Sequence, residues 1–180
     1  AHLWAAPKWM TDHADLLPPP AAGPVIDLAC GSGRAAVWLA ERGYRVTGVD
    51  WQDEALDLGR RLAASRGTAC RFMRADLREP GSVPAGPWSV VLNFRFLARH
   101  LLEGLPPVTR PGGVVMLRTL GEAPGYQGHP RPRFRLRPWE LTAAFPRGMW
   151  EILAHERSFD PDGRPAAGVV ARRRGRRDPT

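Results

Sequence analysis

The sequence predicts an α/β fold: a Rossmann-like, seven-stranded, mostly parallel sheet flanked by helices and finished by an antiparallel hairpin. Three observations predict it. Apolar runs of strand length alternate with helix-period segments five times, which requires a parallel sheet with right-handed crossovers. The first such run, Val25-Ile26-Asp27, enters the glycine turn Gly31-Ser32-Gly33, and an apolar helical pattern leaves it. In open α/β sheets a nucleotide-like ligand sits at such a turn. The last two apolar runs flank Asp160-Pro161-Asp162-Gly163, a strong hairpin signal.

Taken in order, residues 1–20 form a helical segment. Trp9 to Leu17 has the length of a short helix, which Pro18-Pro19-Pro20 ends. Its tryptophans either lie over a ligand pocket or pack on the sheet edge. Residues 21–172 make one domain, and 173–180 a basic tail. Val25 to Asp27 is a fully apolar first strand as far as its aspartate, as a central parallel strand should be. Arg34 to Arg42 is a helix that Gly43 caps. Tyr44 to Val49 is a strand ending at Asp50. Asp53 to Ser65 is a helix with Leu56, Leu58 and Leu62 at helical spacing. Cys70 to Arg74 is a third strand, with Asp76 beyond it. A Pro/Gly-rich loop leads to the strand Ser89 to Leu92, with Asn93 at its end. Phe96 to Leu105 is a helix that Pro106-Pro107 stops. Arg110-Pro111-Gly112-Gly113 is a tight turn into the strand Val114 to Thr119. Leu120 to Arg137 is irregular. Pro138 starts a helix running to about Phe145. Trp150 to Glu156 and Ala167 to Arg172 are the final strands.

Composition narrows the function classes. The 180 residues and a hydrophobic fraction of 43% fit one globular domain with a substantial core. No apolar run reaches the ~20 residues of a membrane span. His2, Lys8, Asp12, His13 and Asp15 break up any signal-peptide core. The expectation is therefore a cytoplasmic protein without membrane contact. Two cysteines, Cys30 and Cys70, cannot make a disulfide framework and read as small buried fillers. The net charge of +8 invites a nucleic-acid partner. Half of it, however, sits in the last ten residues, with five arginines and one aspartate. Nucleic acid is a partner to consider and not the favoured one; a small molecule is. No metal site is expected.

Three strand ends carry the candidate chemistry: Asp50, Asp76 and Asn93. Asp50 follows the glycine turn by ~20 residues, the spacing at which a carboxylate accepts from both ribose hydroxyls. Asp76, one strand further out, can accept from the exocyclic amino group of a base. Gly31 and Gly33 let the backbone approach a ligand closely, and the amides of the following helix start favour an anion.

With these residues in view, the chain resembles the class I S-adenosylmethionine-dependent methyltransferases. Asp27-Leu28-Ala29-Cys30-Gly31-Ser32-Gly33 resembles their first motif, with Ala29 where glycine is common. Gly48-Val49-Asp50, Arg74-Ala75-Asp76-Leu77 and Arg110-Pro111-Gly112-Gly113 are similar to three later ones. Within that class the chain is most similar in flavour to the tellurite-resistance and thiopurine-type small-molecule enzymes. The resemblance implies the cofactor S-adenosyl-L-methionine. It implies that Asp27, Gly31 and Gly33 frame the methionine moiety, joined by Ala29, Cys30 and Arg34 of the same turn. Asp50 would hold the ribose, Trp51 would pack on the adenine, and Asp76 and Leu77 would contact it. Asn93 would stand near the sulfonium, with Phe94 and Phe96 walling the transfer region.

Transfer from a sulfonium mainly requires alignment of a nucleophile, worth roughly 7–11 kcal/mol. No residue is assigned as a catalytic base; His100 and His129 read as surface histidines. Substrate contacts are expected from Trp9, from Phe94, and from His129, Arg131 and Arg133 in a lid spanning Gly125 to Arg137. Arg131, Arg133, Arg135 and Arg137 share one face only if that segment is extended. Three other readings compete: an RNA methyltransferase using the basic tail, a non-catalytic cofactor-binding module, and an NAD-dependent oxidoreductase. The last rests on Gly31-Ser32-Gly33-Arg34-Ala35-Ala36, which matches a Gly-x-Gly-x-x-Ala fingerprint.

Overall fold

A computed structural model describes residues 4–175. Seven strands form one sheet: β1 (Val25–Leu28), β2 (Val46–Asp50), β3 (Arg71–Arg74), β4 (Trp88–Phe94), β5 (Thr109–Leu120), β6 (Trp150–Phe159) and β7 (Pro165–Arg173). Their spatial order is β3-β2-β1-β4-β5-β7-β6. The first five are parallel, while β7 runs antiparallel to both β5 and β6. This is the expected architecture. The chain starts in the middle of the sheet, builds outward to β3, then crosses back to lay down β4. The switch in direction beside β1 leaves a crevice above the strand ends, where such sheets bind ligands.

Helices α1 (Lys8–Asp12), α2 (Arg34–Ala40), α3 (Asp53–Ser65), α4 (Arg99–Val108) and α5 (Glu140–Ala144) cover the sheet. The period-2 alternation of each central strand feeds two separate cores. Val25, Val90 and Val114 meet Leu39 of α2 and Leu56 of α3 on one face, with Met10 of α1. Ile26, Val91 and Val115 meet Leu101 and Leu105 of α4 and Leu141 of α5 on the other. All but Leu101, Leu105 and Leu141 are wholly buried, and those three are nearly so. Each such side chain contributes about 1.5–3 kcal/mol. Strand residues need apolar partners on both faces, which explains why these runs lack a polar side.

Four local expectations change. The N-terminal helix is shorter, Lys8–Asp12, followed by 3-10 turns at Ala14–Leu16 and Pro20–Ala22. α4 begins at Arg99, three residues later than expected, and runs through both Pro106 and Pro107. Proline's fixed φ suits a helix, but the two rings leave the carbonyls of Leu102 and Glu103, four positions back, without their usual backbone donors. At the helix end the Thr109 amide and hydroxyl both donate to Leu105 O, the hydroxyl at 2.7 Å. Arg110–Gly113 is a bulge inside β5 and not a turn before it, because Thr109 pairs with Trp88 and Val114 with Val90. Gly112 takes a φ of +77° there. α5 starts at Glu140 and not at Pro138, because the Glu140 carboxylate accepts the Arg137 amide at 2.6 Å and closes the first turn.

Arg173, placed with the tail by the sequence, ends β7. Arg172 pairs with Glu151 at 3.1 Å, and Arg174 donates to the Arg147 carbonyl at 3.1 Å. The tail from residue 176 onward lies outside the described residues. No helix among the described residues is long and apolar enough to cross a membrane.

Candidate active site

The carboxyl ends of β1, β4 and β5, the tip of the β6–β7 hairpin and α1 enclose a cleft of about 890 Å³. A smaller recess of about 100 Å³ lies beyond, lined by Asp50, Trp51, Asp76, Leu77 and Phe96. Ala29 borders both, so the two meet at the turn after β1.

That turn is built from left-handed residues. Ala29, Gly31 and Gly33 have φ of +56°, +53° and +70°. For Ala29 this conformation costs roughly 1–2 kcal/mol. Gly33 is required for packing, since a Cβ there would stand 2.7 Å from the Phe72 ring. Gly31 is different: a Cβ would meet nothing within 4 Å. Gly31 lines the large cleft, so its missing side chain leaves bare backbone facing open space. The Gly31 amide itself donates to Asp50 Oδ2 at 2.8 Å, and the Gln52 amide donates to Asp50 Oδ1 at 3.1 Å. These bonds lock the Asp50 carboxylate at the end of β2. Each oxygen keeps a lone pair for a further donor.

Beneath the cleft the polar chemistry is incomplete. Asp27 is 2% exposed and its Oδ2 has no hydrogen-bond partner; Asn93 is 3% exposed and its Oδ1 has none. Asp27 pairs with Leu92 and Leu28 with Asn93, so Asp27 points to the α2 face of the sheet and Asn93 to the α4 face. Asn93 lines neither recess. The Trp9 indole N–H, in the wall contributed by α1, is a third buried group without a partner. Buried polar groups without partners are rare and costly. Two of them, on Asp27 and Trp9, line the large cleft together with the bare Gly31 backbone, whereas the Trp150 indole N–H, also without a partner, lies in the other core. Burial pushes the Asp27 carboxyl up to about 7; the Ala36 amide only partly offsets this, and the Asp50 charge adds to it. Burial also drives the Cys30 thiol well above its ordinary value and Cys70 up to about 11. Both are kept as neutral thiols, unsuited to nucleophilic work.

The smaller recess carries the residues expected to meet a base. Trp51 is 46% exposed, with the Arg78 guanidinium 4.8 Å from its ring centroid. Asp76 takes two bonds from Arg78 Nε and one from Nη2, and these hold its carboxyl down at about 2. Leu77 is buried below them. Arg34 lines the large cleft beside the turn.

The substrate residues divide. Trp9 and Phe94 line the large cleft. His129, Arg131 and Arg133 line neither recess and are exposed. The segment is not extended: it makes a 3-10 turn at Pro132–Phe134, and Arg135 is buried. Arg135 donates to the carbonyls of Pro130 at 2.7 Å and Tyr126 at 3.1 Å, and also to that of Gly128. The four arginines therefore share no face, and the loop is tied to itself. His100, expected at the surface, is half-buried, with Nε2 3.0 Å from Leu77 O.

The far wall of the cleft holds residues the sequence did not single out: Arg95, Arg118, Glu156, Ser158, Asp160 and Asp162. Arg118 reaches partners some 40 positions away in the chain, a relation with no local pattern. The unusual φ of Arg95, +62°, is likewise invisible in sequence.

Sheet order, left-handed glycine turn and acidic strand ends together define an α/β methyltransferase class. Residues 25–113, about half of the chain, match the family model described as "Methyltransferase domain". The chain belongs to the class I S-adenosylmethionine-dependent methyltransferases, which excludes the nicotinamide reading. It is 34% identical over 114 residues to the ribosomal RNA small subunit methyltransferase C of Alcanivorax borkumensis, covering 58% of this chain and 34% of that one. It is 27% identical over 121 residues to the ubiquinone biosynthesis O-methyltransferase of Aeromonas salmonicida, covering 64% and 50%. The chain thus spans a third to a half of the length of these relatives. Among solved structures, TehB from Haemophilus influenzae superposes with a TM-score of 0.79 at 18% identity, covering 94% of this chain and 63% of that one. The magnesium protoporphyrin IX methyltransferase of Synechocystis PCC 6803, solved with bound SAH, gives 0.69 at 17% identity, covering 92% and 78%. These last two likenesses speak for the fold.

Proposed function

We propose that this chain transfers a methyl group from S-adenosyl-L-methionine to a small-molecule acceptor. The observation that carries the reading is the bare, left-handed Gly31 between Asp27, whose Oδ2 has no partner, and the locked Asp50. The residues fit the cofactor. Gly31 and Ala29 would offer backbone to the methionine moiety, with Asp27, Cys30 and Arg34 around it. Asp50 would accept from the ribose, Trp51, Asp76 and Leu77 would line the base recess, and Asn93 would lie near the sulfonium. When bound, the cofactor supplies an electrophilic methyl carbon; the acceptor forms a bond to it while the carbon–sulfur electron pair returns to sulfur. The chain's own part is to orient the acceptor and keep water out. Trp9 and Phe94 wall the cleft for this purpose, and an aromatic face beside a cation adds about 0.5–2 kcal/mol. No side chain is required to act as base when the acceptor is a thiolate or another soft nucleophile.

The test is calorimetric titration with S-adenosylhomocysteine. Wild type should bind. Gly31→Val, which fills the open space, should bind at least tenfold more weakly while remaining folded. Undiminished binding by that variant would remove Gly31 from the site.

A second reading, methylation of RNA, has one observation in its favour besides the ribosomal RNA relative. Arg131, Arg133, Phe134, Arg137 and Trp139 are all exposed within nine residues. Exposed arginines interleaved with aromatic rings suit single-stranded nucleic acid. Methyl transfer to bulk RNA that falls steeply with added salt would favour this reading. Transfer to small thiols or phenols alone would favour the first.

A further inference from the structure

The far wall of the cleft is one chain of alternating charges. Glu156 accepts from Arg118 Nε at 2.6 Å, and Arg118 Nη1 donates to Asp160 at 2.6 Å. Asp160 also accepts from Arg95 Nη2 at 3.3 Å, and Arg95 stands 4.0 Å from Asp162. Asp162 accepts in turn from Arg164 Nε at 2.7 Å. Three arginines thus alternate with three carboxylates along this chain, of which Arg95, Arg118, Glu156, Asp160 and Asp162 line the cleft and Arg164 stands outside it.

The links are unequal. Arg118 is inward, with its side chain 18% exposed and all three nitrogens engaged, the last with Ser158 at 3.3 Å. It clamps the hairpin to β5. Arg95 carries the two longest links, its side chain is 54% exposed, and its Nε and Nη1 make no hydrogen bond among the described residues. It also follows Asn93 and Phe94 directly, in a left-handed conformation that its own side chain disfavours. Strain of this kind persists where the surrounding structure holds it. Here the Arg95 amide is fixed to Arg118 O at 2.8 Å.

We infer that Arg95 is the acceptor-recognition residue of the cleft and that it selects a small acceptor bearing a carboxylate or similar anion on a flat apolar body. The inference rests on the proposed function. Arg95 has free donors on Nε and Nη1, one on each side of the Nη2 that holds Asp160, so an oxyanion can engage either edge of the guanidinium. An arriving anion exchanges for the weak Asp162 link and leaves the Arg118 clamp intact. Phe94 and the exposed Phe159 on the same cleft give the apolar body its contact. A cationic acceptor would meet carboxylates that already have partners, and would find Arg95 repelling it.

The test uses the full chain saturated with S-adenosylhomocysteine and three matched probes: benzoate, benzamide and benzylamine. Calorimetry should show benzoate binding at least tenfold more tightly than the other two. Arg95→Gln should abolish that preference, and Arg95→Lys should keep part of it, while S-adenosylhomocysteine affinity stays unchanged in both. Equal binding of the three probes, or a preference that survives Arg95→Gln, would overturn the inference. Failure of wild type to bind S-adenosylhomocysteine would overturn the proposed function itself, and with it this extension.

Discussion

Asp27 shows what a single residue contributes to this fold. It stands in the apolar first strand, where burial holds its carboxyl up at about 7, against an ordinary 3.8. A carboxyl whose folded value is raised contributes fully to stability below the unfolded value and loses that contribution as pH rises through the folded one. The empty protein should therefore lose stability from this group between about pH 4 and 7. Asp27→Asn has no charge to bury. Its unfolding free energy should match wild type near pH 3, below the unfolded value, and exceed it at pH 8 by up to roughly 4 kcal/mol. Urea denaturation at the two pH values reads this directly; a constant difference between variant and wild type would mean that Asp27 is ionised throughout. The aspartate was legible in the sequence as a polar residue in an otherwise apolar run. Its missing partner was not, since that depends on what the Ala36 amide and Asp50 bring near it.

Elements with a strong period were also legible. α3 runs over Asp53–Ser65 as the leucine spacing requires, and the Asp160–Gly163 turn joins β6 to β7 as its residues demand. The conformation of Arg131–Arg137 was not legible, and the condition for its arginines to share a face is not met, because contacts from elsewhere set its course. Arg99 on α4 bonds Glu140 at 2.5 and 3.1 Å and donates to the carbonyls of Arg133 at 2.7 Å and Arg135 at 3.0 Å. Glu140, itself 7% exposed, then anchors α5. The loop is fastened from one side by α4 and from within by Arg135. Arg99→Met should cost about 1–2 kcal/mol, the arginine being partly exposed and its partner buried. Its sharper signature is local: amide hydrogen exchange across residues 126–137 should accelerate at least tenfold, with S-adenosylhomocysteine affinity unchanged. Unaltered exchange would mean that Arg135 alone holds the loop.

At the scale of the whole molecule, the cleft draws on distant stretches of chain. α1 supplies Trp9, the β1–α2 turn supplies the glycines, β4 and β5 supply Arg95 and Arg118, and the hairpin tip supplies Asp160. A site assembled this way is only as ordered as the sheet that joins its parts, and α1, five residues long, is the part that lies outside the sheet. Its hold is specific nonetheless. Met10 is fully buried in the core that also contains Val114, Met116 and Val170. The Trp9 ring lies against β7 so closely that a Cβ on Gly168 would stand 2.9 Å from it. Glycine in the middle of a strand is otherwise unfavourable, and here it marks a close approach. α1 should therefore unfold with the sheet and not before it. Met10→Ala removes a fully buried side chain and should lower stability by about 2–5 kcal/mol. Thermal unfolding followed by tryptophan fluorescence and by far-ultraviolet circular dichroism should give one coincident transition at a lower temperature. Two separated transitions, the earlier one seen by fluorescence alone, would show α1 to be a detachable cover, and the cleft would then lack a fixed wall on that side.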